Sequence, residues 1–226
     1  MEQATQPIRV WDLPTRIFHW LLAICVAGSV VSAKVGGNAM AWHFRFGYVI
    51  FTLLLFRLVW GLVGGRWSRF SSFVYAPSAT LRYLRGTSRA DEHHEVGHSP
   101  LGALSVFGLL AVLAAQVGSG LFADDEISNT GPLIKFVSGA TSSLLTGWHK
   151  SAGQYLVIGL VVLHLAAIVY YRVRRRIDLV GPMWHGDKRL AAQVPAAIDR
   201  PGSRALAGLL VAACAGVVAW LVTLGG

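Results

Sequence analysis

The stretch that decides the fold is residues 149–171, which read HKSAGQYLVIGLVVLHLAAIVYY. Residues 151–171 contain no Asp, Glu, Lys or Arg, and about 20 such residues are enough for a helix to cross the hydrocarbon core of a bilayer. His149 precedes this apolar run and His164 lies inside it. Because an ionisable side chain in a membrane span is costly, both histidines are candidates for a functional site.

Four further apolar spans predict a total of five transmembrane helices. They cover residues 17–33, 43–64, 101–123 and 205–223. The 226-residue chain is 54% hydrophobic and only 14% charged, whereas soluble domains carry about 25% charged residues. The sequence therefore predicts an all-α membrane protein, with a four-helix transmembrane bundle and a fifth, C-terminal transmembrane helix.

The basic residues predict the orientation. They precede the first span, recur in the segment 66–100 and follow the fourth span, whereas the acidic run Asp124, Asp125 and Glu126 lies on the opposite side. The positive-inside rule places the N-terminus in the cytoplasm. The net charge of +9 then reflects topology and contact with membrane lipid, and no nucleic-acid partner is expected. A rival interpretation makes the first span a signal peptide, whose cleavage would remove His19.

Two connecting segments carry further signals. Residues 77–86, PSATLRYLRG, predict a short basic amphipathic helix at the membrane surface that ends at glycine. The nearby His93, His94 and His98 are interpreted as part of a solvated loop, with metal binding or proton transfer near a quinone as the alternative. The segment 124–150, on the other side, could form part of a docking surface.

Four histidines lie in or at the ends of the spans, and the topology sorts them into two levels. We call His19 and His164, near the cytoplasmic side, the inner pair, and His43 and His149, near the opposite side, the outer pair. His149 and His164 are 15 residues apart, which is about 22 Å along an α-helix and about 60° around it. Both can therefore face the interior of one bundle.

Two neutral imidazoles from different helices are suitable axial ligands for a haem iron. The sequence thus predicts two haem b groups, each held by a histidine pair. They would be bound non-covalently, because the chain has no Cys-x-x-Cys-His motif. A zinc site would need four clustered ligands. For any single histidine, simple packing or an interfacial position is the alternative.

Haem propionates need cationic partners near the membrane faces. Arg16 and Arg57 suit the inner pair, and Arg45 and Lys150 flank the outer pair. The alternative is that these cations snorkel or orient the helices. No catalytic side chain is predicted.

Several motifs resemble the bacterial cytochrome b-561 family, which includes the cytochrome b subunit of nickel–iron hydrogenases. They are WDLPTRIFHW at 11–20, WHFRFGY at 42–48, GWHKSAG at 147–153 and LHL at 163–165. The resemblance covers about residues 8–185 and implies a di-haem transmembrane domain there. Residues 186–226 would add a polar connection and the C-terminal transmembrane helix.

The resemblance implies transmembrane electron transfer in a respiratory chain of the cell inner membrane. The electrons would pass between the quinone pool and a redox partner protein, either a hydrogenase or a periplasmic c-type cytochrome. One alternative is a self-sufficient quinone-reactive oxidoreductase. A remote alternative is a histidine-rich metal transporter.

Overall fold

A computed structural model describes residues 5–88, 94, 96–191 and 194–225. The described part is mainly helical. Its helices and strands are, in order, β1 (Thr5–Arg9), α1 (Leu13–Val35), α2 (Met40–Val63), α3 (Pro77–Arg85), α4 (Pro100–Gly120), α5 (Gly139–Trp148), a π-helical turn (His149–Gly153), α6 (Gln154–Val173), α7 (Val180–His185), β2 (Asp187–Ala191) and α8 (Pro201–Thr223).

Within the described ranges, five helices are long and apolar enough to cross a membrane, which confirms the predicted spans. The fourth span differs most from its prediction, because its helix begins at Gly139, well before residue 151. Ser138 caps this helix by accepting a hydrogen bond from the backbone N–H of Thr141. The Ser and Thr residues of α5 make this segment look like a polar loop in sequence, but they are part of a helix. The predicted docking segment is correspondingly shorter.

The chain divides into two compact units. The second unit contains the described parts of residues 18–56, 108–163 and 209–226. Its hydrophobic core takes residues from four helices, namely Cys25 of α1, Ile50 and Leu54 of α2, Leu113 of α4 and Val157 of α6. A four-helix core of this kind is what the apolar spans predicted.

The first unit contains the described parts of residues 1–17, 57–107 and 164–208. An antiparallel ribbon pairs β1 with β2, so that Ile8 lies opposite Lys188. Arg9 closes the ribbon through an ion pair with Asp187 at 2.6 Å. The sequence analysis did not predict this ribbon, because each strand has only five residues and lacks clear alternation.

A second ion-pair group follows the ribbon in the first unit. Asp199 pairs with Arg204 at 2.8 Å and with Arg9 at 3.1 Å. The hydrogen bond from Arg204 holds the pKa of the Asp199 carboxyl below its ordinary value. The carboxylate therefore remains charged and links β1 to the start of α8.

The amphipathic helix predicted at 77–86 is confirmed as α3. It begins at Pro77 and ends at Gly86, whose φ of 69° lies in the left-handed region that favours glycine. The phenol of Tyr83 is 2.8 Å from the phenol of Tyr171 at the end of α6. This hydrogen bond fixes α3 to the end of a transmembrane helix, while Leu84 stays exposed.

Candidate metal centre

The second unit brings the outer pair face to face. His43 lies in the first turn of α2 and His149 begins the π turn, and both are half-buried. Their ring centres are 5.9 Å apart and their planes are nearly perpendicular, at 88°. A metal–imidazole bond is about 2.0 Å long, so two imidazoles on opposite sides of one ion have ring centres about 6 Å apart. The spacing of the outer pair suits two axial ligands.

Both imidazoles are held through Nδ1. His43 Nδ1 is 3.0 Å from the carbonyl oxygen of Ser29, and His149 Nδ1 is 2.8 Å from that of Gln116. A carbonyl oxygen can only accept, so each Nδ1 carries the proton and donates. Each Nε2 is then left with a lone pair that can bind a metal.

The outer pair lines a cavity of about 930 Å³, which is within the range of cofactor pockets at ~300–1,000 Å³. Its walls include the apolar side chains of Val26, Ile50 and Leu113. A Cβ placed on Gly47 would meet no described atom within 4 Å, so the wall there is open. This apolar cavity between two available Nε2 atoms fits a flat metallomacrocycle.

The side chains around the cavity distinguish a metal held by two imidazoles from a metal held entirely by protein side chains. In the described part of the chain, no three His, Cys, Asp and Glu side chains come together to hold a metal ion. A pair of imidazoles leaves the equatorial positions to a macrocycle. That division of ligands is the one haem uses.

The two cations predicted beside the outer pair occupy different places. Lys150 lines the cavity, next to His149 in sequence. Arg45 is exposed, and its guanidinium lies over the ring of Trp42, 4.8 Å from the ring centre. The role of both cations toward a propionate stays a prediction.

The π turn at His149–Gly153 changes the local geometry expected from the sequence. It takes up an extra residue, so the 60° offset for an ideal α-helix does not apply across it. Gly153 leaves room for a neighbouring side chain at this turn, because a Cβ there would overlap the side-chain carbonyl of Gln116. π turns often occur at functional sites.

Gly120 is the residue that gives His149 its space. A Cβ at this position would lie 2.8 Å from Cε1 of the His149 ring. Such a contact is shorter than van der Waals packing tolerates, so α4 can approach the imidazole only without a side chain here. Gly120 is thus part of the site, although the sequence analysis did not single it out.

The first unit contains a network of buried polar groups around Asp12, which is fully buried. Its carboxylate accepts hydrogen bonds from the backbone N–H of Thr15 at 2.8 Å and the hydroxyl of Ser68 at 2.7 Å. The indole of Trp60 donates to the same carboxylate at 3.3 Å. Asp12 thereby caps the N-terminus of α1 and links it to the end of α2.

Arg57 and Arg16, the cations predicted for the inner pair, both lie in the described part of the first unit. Arg57 is only 3% exposed, and its guanidinium lies 4.6 Å from the ring centre of Phe70. Its Nη1 finds no hydrogen-bond partner among the described residues. Arg16 donates through Nη1 to the carbonyl of Trp184 at 2.6 Å. A buried cation with an unused donor suits an anionic group.

The two inner histidines fall in different units, His19 in the second and His164 in the first. Both are half-buried within transmembrane helices α1 and α6. Their pairing stays a prediction.

The described histidines of the 93–98 cluster do not lie in a solvated loop, so that interpretation was wrong for them. The ring of His98 packs between Trp11 and Phe73, with ring-centre distances of 4.7 and 4.4 Å. His94 packs against the edges of two tyrosines. His93 lies outside the described residues. Trp11 and Trp60 lie near the ends of spans, where an interfacial aromatic belt is expected from sequence, but both are buried inside the protein.

The acidic run forms part of an organised turn. The Asp125 carboxylate accepts hydrogen bonds from the Asn129 side chain at 2.6 Å and from the backbone N–H groups of residues 127–129. These donors hold the pKa of Asp125 well below its ordinary value. Glu126, by contrast, is exposed. Asp125 is therefore charged and fixed within the turn, whereas the Glu126 side chain is open to solvent.

Ser29, Gln116 and Ser119 also went unnoticed in the sequence. The signal was a polar side chain inside an apolar span, which is costly unless it is paired. Small hydroxyl residues are nevertheless common in transmembrane helices. Without the fold, nothing distinguishes these residues from ordinary packing residues.

The five apolar helices of the described residues define a multi-pass membrane protein. The sequence model of the prokaryotic cytochrome b561 family matches residues 10–186, and the chain belongs to this family. It is thus a b-type membrane cytochrome, a class that carries haem b and transfers electrons. The predicted family and fold class are confirmed.

Curated relatives agree with the family. The chain is 26% identical over 204 residues to the probable Ni/Fe-hydrogenase 1 B-type cytochrome subunit of Escherichia coli K12, covering 74% of this chain and 83% of the relative. It is 23% identical to the probable Ni/Fe-hydrogenase B-type cytochrome subunits of Azotobacter chroococcum and Bradyrhizobium diazoefficiens, covering 79% and 80% of this chain and 87% and 86% of those relatives. No solved structure gives a significant match.

Proposed function

We propose that this chain is the electron-transfer subunit of a membrane oxidoreductase system and holds two haem b groups through four histidines. The observation that carries the proposal is the outer pair, whose Nε2 atoms are left available across 5.9 Å between ring centres. When bound between two imidazoles, haem iron exchanges single electrons and keeps no open coordination site for a substrate.

The protein's part at the outer site is to orient and to exclude water. The helix carbonyls of Ser29 and Gln116 fix the orientation and protonation of the two imidazoles that would hold the haem. The apolar wall lowers the local dielectric around the site. Lys150 is proposed to neutralise a propionate at the rim, with Arg45 as a second cation beside it.

His19 and His164 are proposed to hold the second haem. The argument is their predicted depth, since His19 lies near the start of α1 and His164 lies 15 residues beyond His149, and both positions are expected toward the cytoplasmic side. Arg57 supports the proposal, because its buried Nη1 can donate to an anion such as a propionate. Arg16 is the second proposed cation, through its buried Nε, which has no partner among the described residues.

The redox partner is proposed to be a nickel–iron hydrogenase, which the names of the relatives support. A c-type cytochrome is the other partner considered, and quinone is the proposed membrane-soluble electron carrier. We place the chain in the cell inner membrane with its N-terminus in the cytoplasm, on the asymmetry of basic residues. Reporter fusions to the two termini test this orientation, because five spans place the termini on opposite sides of the membrane.

The haem content of the purified chain tests the proposal. Pyridine haemochrome analysis should give b-type haem at about two per polypeptide, extractable with acid acetone because no covalent link holds it. A ratio of one, or haem that resists extraction, contradicts the four-histidine scheme. Adding a purified hydrogenase and a quinone analogue then separates a subunit from a self-sufficient oxidoreductase. The proposed subunit reduces quinone only when the hydrogenase and H₂ are present.

A further inference from the structure

Each imidazole of the outer pair has two oxygen atoms behind it, one from a helix carbonyl and one from a serine hydroxyl. His43 Nδ1 lies 3.0 Å from the Ser29 carbonyl oxygen and 3.1 Å from the Ser29 hydroxyl. His149 Nδ1 lies 2.8 Å from the Gln116 carbonyl oxygen and 3.3 Å from the Ser119 hydroxyl. The two sites therefore share one chemistry but are supplied by different helices, α1 and α4.

The two hydroxyls are used differently. Ser119 donates to the Gln116 carbonyl at 2.9 Å, so that oxygen is shared between Ser119 and the His149 imidazole. The Ser29 carbonyl oxygen is shared as well, but its second donor is the hydroxyl of Ser32 at 3.1 Å. The Ser29 hydroxyl itself lies almost as close to His43 Nδ1 as the Ser29 carbonyl does. The Ser29 hydroxyl thus adds an acceptor to its imidazole, whereas the Ser119 hydroxyl competes for the acceptor that its imidazole uses.

We propose that Ser29 and Ser119 are positioning residues that set the reduction potential of the outer haem in opposite directions. The proposal rests on the proposed role of His43 and His149 as ligands. A stronger hydrogen bond from Nδ1–H makes the imidazole a more basic ligand, which favours the oxidised metal and lowers the potential. Ser29 strengthens this donation for His43. Ser119 weakens it for His149 by occupying the carbonyl of Gln116.

Opposite shifts follow for the two alanine variants. Ser29→Ala removes one of two acceptors, so the outer potential should become more positive. Ser119→Ala frees the Gln116 carbonyl at the shorter 2.8 Å contact and removes only the longer 3.3 Å contact, so the potential should become more negative. Ser29→Thr and Ser119→Thr keep a hydroxyl and should restore the wild-type value.

The experiment is a spectroelectrochemical redox titration of the full chain in detergent, with the outer component identified as the one lost in His149→Leu. Thr52→Val is the matched control, because Thr52 lies on the helix that carries His43 but donates to the Tyr48 carbonyl at 2.9 Å. Its potential should equal that of the wild type. Low-spin ferric EPR g values of each variant report ligand strength independently of the potential.

Opposite shifts for the two serine variants, with Thr52→Val unchanged, support the proposal. Shifts in the same direction, no shift, or an equal shift in Thr52→Val overturn it. If Ser29→Ala loses the outer component, Ser29→Thr is compared with Ser29→Val, because Thr and Val have nearly the same shape and only Thr carries a hydroxyl. Equal potentials for these two variants also overturn the proposal. If His149→Leu keeps both components, the proposed function itself has failed, and the two failures are thus distinguished.

Discussion

The two units bury polar groups for different purposes. In the first unit, the Asp12 carboxylate is satisfied by Thr15, Ser68 and Trp60, so that its hydrogen bonds close within the protein. In the second unit, the hydrogen bonds of His43 and His149 among the described residues reach only Nδ1, and both rings line the cavity. The first arrangement stabilises a helix end, and the second is the one proposed to prepare a ligand.

This difference gives a criterion for polar residues in apolar spans. For each such side chain, the useful question is whether a lone pair or an N–H is left over once its hydrogen bonds within the protein are assigned, and where that group points. Arg57 illustrates it within the first unit, because it is as buried as Asp12 but keeps an unused Nη1 donor among the described residues. By the same criterion, Arg57 resembles the proposed ligand histidines more than it resembles Asp12.

The largest effect that sharpens the comparison is expected at Gly120. Gly120→Val places a side chain where even a Cβ would lie 2.8 Å from the His149 ring, so the imidazole must move. The haem content should fall from about two to about one per chain. Gly118→Val is the control on the same helix, since a Cβ there meets nothing within 4 Å. Equal haem contents in the two variants would contradict the assigned site.

A smaller effect, on stability alone, is expected at Asp12. Asp12→Ala removes the cap of α1 and leaves buried donors without an acceptor, which should cost about 2–4 kcal/mol. Thermal unfolding in detergent should show the loss of stability. The outer haem, identified as the component absent from His149→Leu, should stay bound in Asp12→Ala. Asp12→Asn keeps a capping oxygen and should lose less. If Asp12→Ala instead removes the outer haem and leaves stability unchanged, the contrast between the units is wrong.

The smallest effect is expected at the acidic turn. Glu126→Gln removes an exposed charge and should slow association with the redox partner a few-fold, and less so at high salt. Asp125→Asn should instead loosen the turn, because its carboxylate accepts the hydrogen bonds described above.

The Asp125 carboxylate also makes the stability of the turn depend on pH. Its contribution to that stability is present above its ordinary pKa of 3.8 and is lost as the pH falls below that value, since its folded pKa is lowered. Stopped-flow kinetics and proteolysis of the loop separate the two effects.

The apolar spans were readable from the sequence because lipid imposes length and hydrophobicity on each helix directly. The bounds of α1, α2, α4 and α8 follow from that constraint. The early start at Gly139 was not readable, because the Ser and Thr residues of α5 look like a polar loop in sequence, and only the fold shows which acceptors their hydroxyls have. Thr146, for example, donates to the Ser142 carbonyl at 2.8 Å.

The second layer of the site depends on pairs that the sequence separates widely. Ser29 is 14 residues from His43, and Gln116 is 33 residues from His149. The β1–β2 ribbon similarly joins the beginning of the chain to residues near 190. Such pairs depend on how helices and termini pack, which no local periodicity encodes.

The central claim is that four histidines act as two pairs, and replacing each in turn by leucine tests it most directly. The measurement is a redox titration with visible spectra and haem quantitation on the four variants His19→Leu, His43→Leu, His149→Leu and His164→Leu. We predict that each variant keeps about one haem, that His43→Leu and His149→Leu lose the same spectral component, and that His19→Leu and His164→Leu lose the other. If His43→Leu and His19→Leu lose the same component, or if His149→Leu retains both, the account is contradicted.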